Sequence, residues 1–109
     1  MIRLTNYKSK VISRGSVFRF PSVWPYEKFV DLLVVSMPDE DSEHALVVST
    51  GHKAGLILVR LPRECESTSS RSIRYQWVLE NWGKWIYPDC NVEDVFILQH
   101  YEEPRYPAK

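Results

Sequence analysis

The apolar positions of this chain follow two periods. One is near two residues and the other between three and four, so the pattern divides the sequence into several strands and one long helix. Residues 28–37, KFVDLLVVSM, carry the strongest strand signal, and the run Leu32-Leu33-Val34-Val35 is apolar on both faces. A run of that kind predicts a central strand covered on each side. Residues 44–49 and 55–61 are two further strands rich in Val, Leu and Ile, joined by Thr50-Gly51-His52-Lys53-Ala54 at hairpin length. The three read as an antiparallel meander. Upstream, Ser16-Val17-Phe18-Arg19-Phe20 predicts another strand, closed by Pro21. Pro21 and Pro25 bracket a turn-rich connection, and Trp24 and Tyr26 in it are expected to pack on the core, since such rings bury large areas. Residues 94–100 form a last strand, with Val95 and Ile97 on one face and Phe96 and Leu98 on the other. Residues 1–13 show no strong period and read as irregular or as a short edge strand.

The helix lies at about 75–86. At 100° per residue Tyr75, Val78, Leu79, Trp82, Trp85 and Ile86 share one face. Gln76, Glu80, Asn81, Gly83 and Lys84 share the other, with Glu80 and Lys84 spaced for an ion pair. Trp77 falls on the polar side. Pro88 ends the helix, because it disfavours helical geometry at Tyr87. The start is ambiguous: Ser72 offers a cap, yet Ile73, Tyr75, Trp77 and Leu79 also alternate as a strand would. The serine-rich stretch 63–72 reads as a surface loop, and the tail from Glu102, with Pro104 and Pro107, as frayed. The predicted fold is α+β. One small domain spans residues 1–109, with a mainly antiparallel sheet of roughly four to six strands and one principal amphipathic helix on one sheet face.

Composition narrows the class. A hydrophobic content of 44% and a charged content of 26% in 109 residues describe one globular domain with a single core. The formal net charge is zero, which argues against a generic nucleic-acid binder. The charges are segregated, however. Residues 1–26 hold Arg3, Lys8, Lys10, Arg14 and Arg19 and no acid, whereas residues 38–44 hold Asp39, Glu40, Asp41 and Glu43 and no Lys or Arg. These segments are either solvated surface or, for the acidic one, a face made to meet a basic partner. The N-terminal sequence lacks an apolar stretch of secretory length, and the longest apolar run is far too short to span a bilayer. The chain is therefore expected in the cytoplasm, with Cys65 and Cys90 reduced.

Candidate chemistry is sparse. His44, His52 and His100 show no zinc-ligand spacing. Cys90 and His100 form a possible thiol and base, the basis of a hydrolase alternative. Gly51-His52-Lys53-Ala54-Gly55 lacks the spacing and the Lys-Ser/Thr ending of a phosphate-binding loop and joins two strands. Asp89, Glu93 and Asp94 are acids of a loop-to-strand connection. The aromatic content of 13% leaves an RNA-binding alternative, although the rings share faces with Val and Leu. Trp77 is either covered by another segment or is a protein-binding hot spot.

The segment Trp77-Val78-Leu79-Glu80-Asn81-Trp82-Gly83-Lys84-Trp85-Ile86-Tyr87-Pro88, followed by Val92-Glu93-Asp94-Val95, resembles a family of small bacterial immunity proteins. These are encoded beside polymorphic toxins, including those of contact-dependent growth inhibition and Rhs-type systems. The stretches SVFRFPSVWPYEKFVDLLVV and HALVVSTGHKAGLILVRLP are similar to the same family, so the likeness spans most of the chain. The resemblance implies a mixed α/β or α+β domain without enzymatic activity, and no cofactor or metal is expected. Its partner would be the toxic C-terminal domain of a cognate effector, bound one to one in the cytoplasm, with neither nucleic acid nor membrane involved. Many delivered toxins are nucleases with basic clefts, and carboxylates matching such a cleft would speed association. Asp39, Glu40, Asp41 and Glu43 are thus the first candidates for toxin contact, with His52, Lys53 and Trp77 as further ones. An adaptor with an unrelated partner is the remaining alternative.

Overall fold

The computed structural model describes residues 1–38 and 43–107. The strands run in chain order as β1 (Ile2–Arg3), β2 (Val11–Ile12), β3 (Val17–Pro21), β4 (Phe29–Ser36), β5 (His44–Val48), β6 (Ile57–Arg60), β7 (Ile73–Arg74) and β8 (Phe96–Leu98). Six of them form one antiparallel sheet in the order β1-β8-β3-β4-β5-β6, and β2 pairs with β7 in a separate ribbon. The expected α+β architecture and the β4-β5-β6 meander are both present.

Register decides which residues face the core. Phe18 lies opposite Leu32 and Ile97, Phe20 opposite Val30, and Val34 opposite Leu46. Side chains alternate along a strand, so these residues share one face, and all are buried. Trp82 packs on it, with its ring nearly perpendicular to Phe18 and Phe20 at centroid distances of 5.6 and 5.0 Å. The opposite face differs from expectation. β4 is central in the sheet, but among the described residues the helix covers only the core face. On the outer face Leu33 and Val35 are half-buried, and Phe29 and Ile57 are exposed. The apolar run 32–35 reflects β-propensity and partial cover, not a second packed layer.

The ambiguous start of the helix has a structural origin. Ile73 and Arg74 are a strand, pairing with Ile12 and Val11, and the chain turns into α1 (Tyr75–Asn81) at the next residue. The Tyr75 amide donates to the Lys10 carbonyl at 2.9 Å, which ties the first turn to the ribbon. Ser72 does not cap the helix. It is buried instead, with its hydroxyl 2.6 Å from that of Ser70. Nor is the whole stretch 63–72 surface loop: Arg63–Cys65 form a short 3-10 turn and Cys65 is fully buried.

From Trp82 to Ile86 the helix widens to π geometry, closed by a Tyr87 amide to Trp82 carbonyl bond of 2.9 Å. The extra residue per turn shifts everything beyond Trp82 around the axis. Trp85, expected on the buried face, is 37% exposed, whereas Trp77, expected on the polar side, is 5% exposed. The two rings meet at 6.1 Å, so Trp85 shields Trp77. The shift also leaves Glu80 and Lys84 unpaired with each other: the ion pairs among the described residues are Arg19–Asp31, His44–Glu66 and His52–Glu27.

Candidate functional site

The outer face of the sheet is built around a carboxylate. Asp31, on β4, is fully buried although no helix covers this face. Arg19, opposite it on β3, donates from Nε and Nη2 to the two carboxylate oxygens at 2.7 and 2.9 Å. The pairing raises the Arg19 pKa, mainly through the hydrogen bond to Asp31. Tyr101, beyond the end of β8, donates to the same carboxylate at 2.7 Å, and Ser49 lies 2.7 Å from the Tyr101 hydroxyl. The segment after β8 is thereby latched across the face. Burial, with Asp31 beside it, raises the Tyr101 pKa.

Around this ion pair the face is apolar and cationic. The Arg3 guanidinium lies over the Phe96 ring at 5.0 Å and that of Arg19 over Phe29 at 5.7 Å. Phe29, Pro21, Lys28 and Phe96 border a shallow cleft of about 400 Å³. The cleft adjoins the β3–β4 hairpin, whose base is the Pro21–Phe29 pair. Within the hairpin the Ser22 amide bonds to the Lys28 carbonyl, and the Tyr26 amide to the Val23 carbonyl. Tyr26 packs edge-on to Tyr87 at 6.2 Å, and the Tyr87 hydroxyl receives the Val23 amide at 3.2 Å. The expectation for Tyr26 therefore holds in part, but that for Trp24 does not. Trp24 is 89% exposed: the bonds that fix the loop are made by Ser22, Val23 and Tyr26, and the indole stands outside them.

The neighbouring turn between β5 and β6 carries His52 and Lys53. Glu27 of the hairpin accepts from the His52 amide at 3.1 Å and lies 2.6 Å from its ring Nδ1. These contacts, the backbone bond first, lower the Glu27 pKa. A Cβ at Gly51, where φ is +72°, would run into the Glu27 carboxylate. The two turns thus close against each other, placing His52 and Lys53 beside the Trp24 hairpin.

The other described candidates separate from this corner. Asp39, Glu40 and Asp41 lie outside the described residues. Glu43 is half-buried and falls within 4.8 Å, by ligand atoms, of His44 and Glu66. His44 is buried and holds the Glu66 carboxylate at 2.8 Å. Trp77 lies in the core, so almost none of its ring is open to a partner. Cys90 and His100 are not hydrogen-bonded to each other. The Cys90 thiol donates to the Asn91 carbonyl, and the His100 ring contacts the Tyr101 carbonyl. Burial and Asp94 raise the Cys90 pKa, the direction opposite to that of an activated nucleophile. The residue that periodicity missed is Trp24, for which the flanking Pro21 and Pro25 were the available signal.

No helix among the described residues is long and apolar enough to cross a membrane. No curated protein and no solved structure matches the chain. The model of the family described as Immunity protein 45 matches residues 4–97, from the buried Leu4 to the core residue Ile97 of β8, and the chain belongs to that family.

Proposed function

We propose that this immunity protein binds the toxic C-terminal domain of a cognate bacterial effector one to one and blocks it in the cytoplasm of the producing cell. Membership of an immunity family, with the match running from the first core residue to the last strand, is the observation that carries this reading. The geometry is in keeping with it. A carboxylate-centred sheet face beside two mutually braced turns offers a firm platform for a protein partner, and little conformational freedom is lost on docking. Inhibition is by occlusion, without chemistry on the toxin. The toxin is a nuclease of a polymorphic, contact-delivered system, as the family resemblance and the acidic segment 39–43 suggest. That segment would face the basic phosphate-binding cleft, with Glu43 at its described end.

Co-expression is the test. The C-terminal domain of the effector encoded beside this gene is induced with and without the chain, and growth and nucleic-acid integrity are followed. Protection by the chain when it is retained in the cytoplasm supports cytoplasmic neutralisation. Cells that die at the same rate with and without the chain remove the proposal. Intact nucleic acid in dying cells removes the nuclease assignment alone.

A further inference from the structure

We propose that Trp24 is the anchor by which the chain grips its toxin, seated in an apolar pocket of the toxin bordered by carboxylates. The inference rests on the toxin-binding reading above and names the residue and the partner chemistry.

Three observations converge on the β3–β4 hairpin. The first is apolar exposure concentrated in one hairpin. Val23, Trp24 and Phe29 are 54%, 89% and 52% exposed within one hairpin, and Pro21 lies directly across from Phe29. Single exposed apolar residues are ordinary, but clustered ones mark contact surfaces. The second is support. Val23 is fixed through the Tyr87 hydroxyl, Tyr26 packs against the Tyr87 ring, and the Ser22 hydroxyl donates to the Glu27 carbonyl at 2.5 Å. The backbone on both sides of Trp24 is therefore held, while the indole makes no ring contact among the described residues. A large ring on a braced loop gives contact area with little ordering cost, as hot-spot residues do.

The third observation is charge. Lys28 is exposed on the same hairpin as Trp24, and Lys53, half-buried, stands on the adjoining turn. The one acid of this corner, Glu27, is engaged by the His52 amide and ring. The corner thus presents apolar surface within a cationic rim, which matches an apolar pocket bordered by Asp or Glu and repels a basic cleft.

The experiment uses the full chain and a catalytically inactivated form of the toxin domain from which the wild-type chain protects cells. Affinity and association rate are measured at low and moderate salt for wild type, Trp24→Ala, Trp24→Phe and Lys28→Glu, with melting temperatures and sedimentation of each. Trp24→Ala is expected to weaken binding roughly 30-fold or more, the loss typical of a hot spot, with its melting temperature unchanged. Trp24→Phe should retain part of the affinity. Lys28→Glu should slow association several-fold, and more so at low salt. Trp24→Ala binding within about threefold of wild type would overturn the proposal. So would a fall in its melting temperature, which would mean that the indole packs on its own chain. A wild-type dimer dispersed by Trp24→Ala would overturn it too, since the occupant would then be a second copy. Failure of the wild-type chain to bind or protect would instead remove the toxin-binding reading, and this inference with it.

Discussion

Trp82 offers the sharpest test of how the helix and sheet hold together. Its ring is 2% exposed and meets Phe18 and Phe20 nearly at right angles, while its Nε1 is buried without a hydrogen-bond partner. Trp82→Ala removes the ring and both aromatic contacts, so it should cost about 3–5 kcal/mol. Trp82→Phe is different. It empties roughly 40 Å³, which at ~24 cal/mol per Å³ costs about 1 kcal/mol. It also removes a buried N–H whose lost hydration is itself worth ~1–3 kcal/mol. The two terms oppose, so Phe should lie within about 1 kcal/mol of wild type. At roughly 4 °C per kcal/mol, Ala should melt more than about 10 °C lower and Phe only a few degrees away. Urea unfolding gives the free energies and calorimetry the temperatures. An Ala variant melting within a degree or two of wild type would refute the placement of Trp82 between helix and sheet. A Phe variant as damaged as Ala would show that Nε1 has a partner.

The ion pair on the outer face should respond asymmetrically. Arg19→Met leaves the fully buried Asp31 carboxylate short of its main partner and should cost about 3 kcal/mol. Asp31→Asn leaves an arginine that is 32% exposed and can reach water, at about 1–2 kcal/mol; urea midpoints in the reverse order would refute this account. Tyr101→Phe should cost about 1 kcal/mol at neutral pH, because the latch is partly solvated. The folded-state pKa of Tyr101 is raised from 10.0, so the stabilisation is present below about pH 10 and lost as pH rises through the folded value. Wild type should therefore lose its advantage over Tyr101→Phe in alkali, and a tyrosinate difference titration should show one fewer late-ionising tyrosine in Tyr101→Phe, with Tyr75, also raised by burial, ionising late in both. An unchanged stability difference across that range would contradict the latch.

The strands were legible where they were long. β3, β4, β5, β6 and β8 have at least three residues each, enough for an apolar pattern to show, although burial alternates strictly only in β8, since Val17, Asp31 and Ala45 are buried on the outer face as well. β1, β2 and β7 have two residues each and leave no period to read. β7 even disguised the start of the helix, because a strand that passes directly into α1 carries its alternation into the first helical turn. The helix itself was found at its full extent, 75–86, but not its inner geometry. A wheel drawn at 100° assumes α spacing throughout, and the π turn at 82–86 breaks that assumption.

That one departure, with the braced hairpin, reverses the reading of the tryptophans. Period made Trp77 the outlier with a possible binding role, and ring size placed Trp24 in the core. In the folded chain Trp77 lies under Trp85, while Trp24 stands outside. The sequence did contain a warning, since a tryptophan between two closely spaced prolines sits where the chain turns at the surface. The Asp31 centre had no such local signal. Its partners come from Arg19, 12 residues earlier, and Tyr101, 70 residues later, and only the closed sheet brings them together. Tertiary contacts of that range are invisible to periodicity, yet here they set the surface a partner meets. The ion pair fixes β3 against β4, and the hairpin joining those two strands carries Trp24. A loss at Arg19 should therefore reach the hairpin through its base at Pro21 and Phe29, although Trp24 itself touches neither Arg19 nor Asp31.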